Sequence, residues 1–419
     1  MILTREPQNI KTILSLKFND YKVGDRIKSQ GKLLGHGIFT ADGDHWAQSR
    51  ALIRPNFVRE QVADLSLFED MMGDLLALLP TDGQTVDLQE LFFSYSIDSA
   101  TEFLFGHSAH SLRKRSQPTT EKDSDDDFAE AFNYALKAVA MRSRLGFLRT
   151  FYWDRKEEQS NRICHRFVDK YVDRVVKLQE TMDPSDDHNE EKRKNEKYLV
   201  IHELARQTTD RRRIRNELIN ILLAGRDTTA GLLSNLFFML AKHPDIWSKL
   251  RDEVTTTLNG RLPTYDELRN MKYLKYCLNE SLRLHPVVPT NGRVAKNDTF
   301  LPVGGGPDGQ SPVFVSKGTF VVYCVYSMHR RVDIWGPDAN EFRPERWESM
   351  RPSWEYLPFN GGPRICLGQQ YALTEAGYVT VRLAQQFQKL ESRDPGPWEE
   401  HLALTLRSRN GTKVGLVPA

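Results

Sequence analysis

The sequence predicts a mainly α protein, a large helical body carrying small β-sheets, organised as a single domain over residues 1–419. Two observations lead there. Apolar residues recur at three- and four-residue intervals over long stretches, as with Val62, Leu65, Phe68, Met72, Leu75 and Leu76 between Arg59 and Leu79; that period lays side chains along one helix face. Strand-like stretches are short, and no Pro-, Gly- or Ser-rich linker divides the chain, although its length alone would allow two or three domains.

Residues 4–34 read as short helical pieces in which Ile10, Ile13, Leu14 and Leu16 offer an apolar face. Gly35, Gly37 and Gly43 break that pattern. In His45-Trp46-Ala47-Gln48-Ser49-Arg50, Trp46 and Arg50 are four apart and share a helix face. Both can donate to one buried carboxylate; an exposed aromatic-cation pair is the other reading. Helices are predicted over Arg59–Leu79, Val86–Phe105, Phe128–Phe151 and Lys156–Glu180, with polar loops at Arg113–Asp127 and Asp183–Lys197. Gly146, Phe147, Leu148 and Phe151 form an apolar connector, facing a substrate or a membrane, or else belonging to ordinary core.

Arg213–Ala241 is the longest helical pattern and is apolar nearly all round, which suits a buried helix. Inside it Ala224-Gly225-Arg226-Asp227-Thr228-Thr229 is poor helix material, because glycine and paired threonines are costly where alanine or leucine would serve. A local conflict of this kind marks function. Thr264-Tyr265-Asp266-Glu267 reads as a capping box, and Glu280 and Arg283 meet on the following helix. Val287–Val294 reads as a strand. Gly304, Gly305, Gly306 and Gly309 lack the Gly-Lys-Ser of a P-loop and predict a hairpin turn, with Pro312–Val315 and Thr319–Val325 as its paired strands. Ser392–Pro418 reads as irregular segments and short strands, with Leu402–Leu406 expected to line the active site.

Composition excludes some functions. With 58 basic against 56 acidic residues, nucleic acid is not an expected partner. The cysteines at 164, 277, 324 and 366 form no CxxC pair, and the 11 histidines show no ligand spacing. Residues 1–7 lack both the run of about twenty apolar residues that spans a bilayer and a signal-peptide core, so this stretch reads as soluble or peripheral.

One stretch organises the rest. Phe359-Asn360-Gly361-Gly362-Pro363-Arg364-Ile365-Cys366-Leu367-Gly368 sets a cysteine between glycines, two residues after an arginine and just before the helical run Gln369–Phe387. A helix N-terminus favours thiolate over thiol. Gly362 and Gly368 permit close backbone approach or positive φ, and Arg364 offers a fork of donors for a carboxylate. A buried cysteine in an ordinary turn is the plain alternative.

Phe359, Gly362, Arg364, Cys366 and Gly368 together resemble the haem-binding signature of the cytochrome P450 haem-thiolate monooxygenases. The resemblance runs through the chain from residue 4 onward. It implies haem b as cofactor with Cys366 as axial thiolate on the iron, and Trp46, Arg50 and Arg293 as donors to the haem propionates. It also implies room for O2 at Ala224 and Gly225, proton delivery by the Asp227-Thr228 pair through a local opening of the helix, and a structural Glu280-Arg283-Arg346 triad behind the cofactor. NADPH-cytochrome P450 reductase would supply electrons. The wording around Leu33–Phe39, Ala224–Thr229 and Asn291–Arg293 is most similar to fungal members that hydroxylate alkanes and fatty acids, with relatives in secondary metabolism, so a long, mainly apolar substrate is implied. An oxygen-independent isomerase or dehydratase, or an inactive haem-binding remnant, are the alternatives. The resemblance starts near the family's B helix, leaving an N-terminal anchor, hinge and first strands outside residues 1–419. By resemblance the location is the cytosolic face of the endoplasmic reticulum membrane.

Overall fold

A computed structural model of the chain describes residues 1–116, 128–181 and 199–419. The predicted loop Asp183–Lys197 and most of Arg113–Asp127 lie outside the described residues. Helices of eight residues or more are, in chain order, α1 (Arg26–Leu34), α2 (Gly43–Ile53), α3 (Ser66–Leu76), α4 (Leu88–Phe105), α5 (Phe128–Leu145), α6 (Arg155–Thr181), α7 (Val200–Gln207), α8 (Arg211–Lys242), α9 (Pro244–Leu258), α10 (Lys272–Leu284) and α11 (Gln369–Gln386). Strands are β1 (Ile2–Thr4), β2 (Tyr21–Lys22), β3 (Thr85–Asp87), β4 (Thr290–Ala295), β5 (Thr299–Gly305), β6 (Ser311–Val315), β7 (Phe320–Cys324), β8 (Phe387–Ser392), β9 (Glu400–Leu402), β10 (Leu406–Ser408) and β11 (Lys413–Pro418). The fold is mainly α with small separate sheets, as the sequence predicts. Two compact units emerge: Met1–Gly24 with Leu79–Phe93 and Asp227–Ala419, and Asp25–Leu78 with Ser94–Arg226.

Among its described residues, the unit of residues 25–78 and 94–226 has helices and no strands. Its core is aromatic: Phe128 of α5 stacks on Phe167 of α6 at 3.9 Å between ring centroids, and Tyr171 stacks on Phe105 of α4 at 5.1 Å. Arg142 and Glu157, both buried, close the α5–α6 turn by paired bonds of 2.6 and 2.7 Å. The connector Gly146–Phe151 between them winds as a 3-10 turn. Phe147 is 81% exposed, Phe151 84% and Trp153 68%, so this connector is not ordinary core.

The other unit holds the sheets. A four-stranded sheet runs β1-β7-β4-β2, β1 parallel to β7 and the others antiparallel; β5 pairs with β6, β9 with β10, and β3-β11-β8 form a three-stranded sheet. Three expectations change here. The glycine turn 304–309 does close a hairpin, but its strands are β5 and β6, with Phe300 opposite Phe314; β7, expected as the partner of β6, sits between β1 and β4 instead. Residues 2–4 and 21–22, at and within the stretch read as helical pieces, are strands. Leu16 is 69% exposed although Ile10, Ile13 and Leu14 are buried. Thr12–Leu16 winds as a π-helix, whose wider i→i+5 turn carries Leu16 off the apolar face. The capping box holds: Glu267 N–H donates to Thr264 Oγ1 at 3.3 Å while Glu267 Oε2 accepts from Thr264 N–H at 2.9 Å.

Candidate active site

The cysteine loop is a turn pressed onto the N-terminal segment. Asn360 takes φ +64° and Gly362 φ +69°. A Cβ on Gly362 would lie 1.9 Å from the Leu14 carbonyl oxygen, so only glycine fits there. Gly362–Arg364 form one 3-10 turn, after which the Cys366 N–H donates to the Phe359 carbonyl at 3.0 Å and closes the loop. Gly368 caps α11 with φ −87°, so of the two roles open to it, positive φ is excluded. Cys366 is exposed, whereas Cys164 and Cys277 are buried. Burial pushes the Cys164 thiol up to about 12 and Cys277 well above its ordinary value. A thiol kept at the surface of a rigid turn is the one suited to ligation.

Residues that sequence reasoning passed over hold this loop. Tyr323 on β7 donates from Oη to Asn360 Oδ1 at 3.1 Å. His329, one of the 11 histidines without ligand spacing, is fully buried; burial drives its imidazole down to about 3, which keeps it neutral. Its Nδ1 bonds the Arg283 carbonyl at 3.2 Å, and its Nε2 accepts the Leu357 N–H at 2.9 Å. The tautomer follows from those partners. His329 thus ties α10 to the start of the cysteine loop. No spacing rule signals such a residue, because both bonds go to backbone distant in sequence.

Behind the loop the predicted triad is assembled and fully paired. Arg283 donates to both oxygens of Glu280, at 2.9 and 2.7 Å, and to the carbonyls of His329, Ala339 and Glu341. Arg346 reaches Glu280 Oε1 at 3.4 Å and Asp338 Oδ1 at 3.0 Å. The Trp347 indole N–H and the Arg343 backbone N–H, both at 3.0 Å, complete the shell of Glu280. Buried charges persist only when satisfied in this way.

Arg293, on β4, is 4% exposed. Its Nη1 donates to Asn291 Oδ1 at 3.1 Å and to the Gly292 carbonyl at 2.8 Å, and its guanidinium lies 5.9 Å from the Tyr323 ring centroid. Among the described residues no carboxylate pairs with it. A buried guanidinium bonded only to neutral acceptors fits a cofactor carboxylate as its counter-ion, which is what a haem propionate supplies. Arg293, Tyr323, Asn360 and the Phe359–Cys366 turn are therefore linked through the Tyr323 ring and its hydroxyl.

Along α8, Asp227 and Thr229 are buried while Ala224, Gly225 and Thr228 are half-buried, in a helix whose Leu218, Leu222, Leu233 and Leu236 are sealed from solvent. An added Cβ on Gly225 would meet Ala100 of α4 at 3.5 Å, an ordinary van der Waals contact, so packing against α4 does not require glycine there. The helix is α throughout Arg211–Lys242; the local opening expected at Thr228 does not interrupt it. Trp46 and Arg50 are half-buried on α2. The neighbouring His45 and Ser49 are braced by Arg213 of α8, at 3.0 Å each.

Comparison with known proteins places the chain in a family. The family model described as Cytochrome P450 covers residues 1–413. The chain is 53% identical over 417 residues to cytochrome P450 monooxygenase himC of Aspergillus japonicus, covering 99% of this chain and 74% of the relative. It is 49% identical over 429 residues to cytochrome P450 monooxygenase fsdH of Fusarium heterosporum, 99% and 73% of the two chains. To cytochrome P450 52A5 of Candida maltosa it is 46% identical over 434 residues, 99% and 80%. With a family match across almost all of its length and relatives at these identities, the chain belongs to the cytochrome P450 family of monooxygenases.

Proposed function

We propose that this chain hydroxylates a long, mainly apolar substrate, a fatty acid, an alkane, or a fatty-acyl or polyketide-type chain of fungal secondary metabolism, using O2 and electrons from an NADPH-cytochrome P450 reductase. The carrying observation is Cys366, exposed on a glycine-framed turn that Phe359, Asn360 and Leu14 make rigid. The family's cofactor is haem with a cysteine thiolate on its iron, and when bound it activates O2 for insertion into a C–H bond.

In this reading Cys366 supplies the thiolate, with Phe359, Arg364 and Gly368 shaping its cradle. Arg293, Trp46 and Arg50 hold the propionates by charge-assisted bonds. Ala224 and Gly225 keep bulk away from the cofactor face, and Asp227 with the Thr228 hydroxyl delivers protons. The single family model over residues 1–413 supports one functional domain. The exposed aromatic connector supports attachment to a membrane surface, at the cytosolic face of the endoplasmic reticulum; among the described residues no helix is long and apolar enough to cross a bilayer.

The test is spectroscopic and then catalytic. Ferrous wild-type protein with carbon monoxide should give the absorption band of a thiolate-ligated haem, and Cys366→Ala should lose it. Fatty acids or alkanes should shift the iron spin state, with hydroxylated product appearing only when NADPH, reductase and O2 are all present. Product without O2 would favour the isomerase reading, and no band in folded wild-type protein the inactive remnant. Response to compact polycyclic compounds alone would remove the long-chain substrate.

A further inference from the structure

Tyr323, on β7, is fully buried in one cluster with Ile10, Ile13, Leu14 and Leu357. Two of those neighbours press on the cysteine turn. The Leu14 carbonyl excludes any side chain at 362, and the Leu357 carbonyl accepts the Asn360 N–H at 3.1 Å. A phenol among such apolar groups is costly unless its hydroxyl is bonded. Among the described residues that hydroxyl makes one hydrogen bond, to Asn360 Oδ1 at 3.1 Å. A bond of this kind replaces one made to water and adds little to stability, so phenylalanine would serve the cluster nearly as well. What the hydroxyl adds is a fixed place for Asn360, whose backbone is held in the left-handed region at φ +64°. Asn360 follows directly on Phe359, whose carbonyl accepts the Cys366 N–H at 3.0 Å. The turn that presents the sulfur is thus tied to β7 by that bond.

The same ring meets the arginine. Asn291 stands opposite Tyr323 in the β4–β7 ladder, and Arg293, two residues on, shares the Asn291 face of the sheet. Arg293 donates to Asn291 Oδ1 at 3.1 Å, and its guanidinium lies 5.9 Å from the Tyr323 ring centroid. The two groups assigned above to the cofactor, a thiolate and a carboxylate-binding guanidinium, therefore adjoin one buried tyrosine, the first through Asn360 and the second at the ring. A thiolate ligand donates electron density to iron and favours its ferric state. Motion of the turn, or water at the sulfur, weakens that donation and makes reduction easier. We infer that Tyr323 is a positioning residue whose hydroxyl, acting through Asn360, fixes the Cys366 turn against the sheet that carries Arg293 and so holds down the potential at which the haem iron is reduced. The inference rests on the monooxygenase reading above.

The test is a potentiometric titration of the ferric-ferrous couple in purified holoenzyme, followed by its visible spectrum. Tyr323→Phe keeps the ring and removes the hydroxyl. It should retain the carbon monoxide band of the thiolate complex while the ferrous-to-ferric ratio at a fixed potential rises about tenfold, or about 59 mV for one electron. Asn360→Ala should raise the potential by a similar amount. The double variant should go no further than either single one, because both remove the same bond. Asn360→Gly, which takes the left-handed conformation freely, should behave as Asn360→Ala and covers the case in which that variant does not fold. Ile13→Val thins the same cluster without touching the bond, so it should melt earlier and keep the wild-type potential. A wild-type potential in Tyr323→Phe, an equal shift in Ile13→Val, or additive shifts in the double variant would each overturn the inference. Absence of the thiolate band in wild-type protein would instead overturn the monooxygenase reading.

Discussion

Asp98, buried in α4, is an acid used for structure. Its two carboxylate oxygens accept the N–H groups of Ser111 and Leu112, at 2.7 and 2.9 Å, at the start of the short helix Ser111–Ser116. Burial outweighs those bonds and raises its carboxyl from 3.8 to about 6. A folded-state pKa above the unfolded one means that the native chain holds a proton the unfolded chain has lost. The Asp98 contribution is therefore greatest below about pH 4 and declines as pH rises through about 6. At 1.36 kcal/mol per pH unit its full span is on the order of 3 kcal/mol. Thermal midpoints of wild type and Asp98→Asn, measured from pH 4 to 7.5, should converge as pH rises, with the substitution most damaging at the acid end. Divergence toward neutral pH would show that Asp98 stays ionised in the folded chain.

Between elements, Glu280 is where α10 meets the segment Arg343–Trp347. Removing the Trp347 indole donor deprives a buried carboxylate of one charge-assisted bond, so Trp347→Phe should cost about 1.5–3 kcal/mol. Glu280→Ala leaves Arg283 and Arg346 without their shared partner and should cost about 3–5 kcal/mol, read as loss of soluble, haem-retaining protein. A Trp347→Phe chain as stable as wild type would mean that the remaining donors suffice. What the sequence discloses at this scale is what local chemistry decides. The Thr264 capping box, the extent of α8, the Glu280-Arg283 pair and the turn at Gly304–Gly309 each follow from residues within a few positions of one another. The strand pairing does not, since the pattern of residues 319–325 is the same whether they pair with β6 or with β1 and β4; only the assembled sheet decides. Leu16 is misread because a single π-turn changes the period, and Tyr323 and His329 escape notice because they act on backbone far along the chain. At the cysteine the motif itself names the residues, but the need for glycine at 362 comes from Leu14, which no local pattern couples to it.

For the molecule as a whole, one exposed aromatic feature among the described residues is the tip between α5 and α6. Phe147, Phe151 and Trp153 stand out from the surface, with Arg155 over the Trp153 ring at 5.1 Å. The tip is not loose: Arg142 donates to the Arg149 and Tyr152 carbonyls at 3.3 and 3.1 Å while bound to Glu157, and Tyr134 and Tyr152 both donate to Asp154. Holding aromatic side chains in water by a buried ion pair makes physical sense if they leave the water when the molecule meets an apolar phase. Each such ring is worth about 1.5–3 kcal/mol on full burial, and arginines flanking them suit a lipid headgroup layer. The chain should cosediment with phosphatidylcholine vesicles, and the triple variant Phe147→Ser, Phe151→Ser, Trp153→Ser should bind at least tenfold more weakly, a loss of about 1.4 kcal/mol, with its carbon monoxide band intact. Glu157→Ala, which keeps all three rings but frees their support, should fall between the two, because a disordered tip must be reordered on insertion at about 1–2 kcal/mol per residue. Equal binding by wild type and the triple variant would assign membrane contact to another surface and leave the rigid tip for a protein partner.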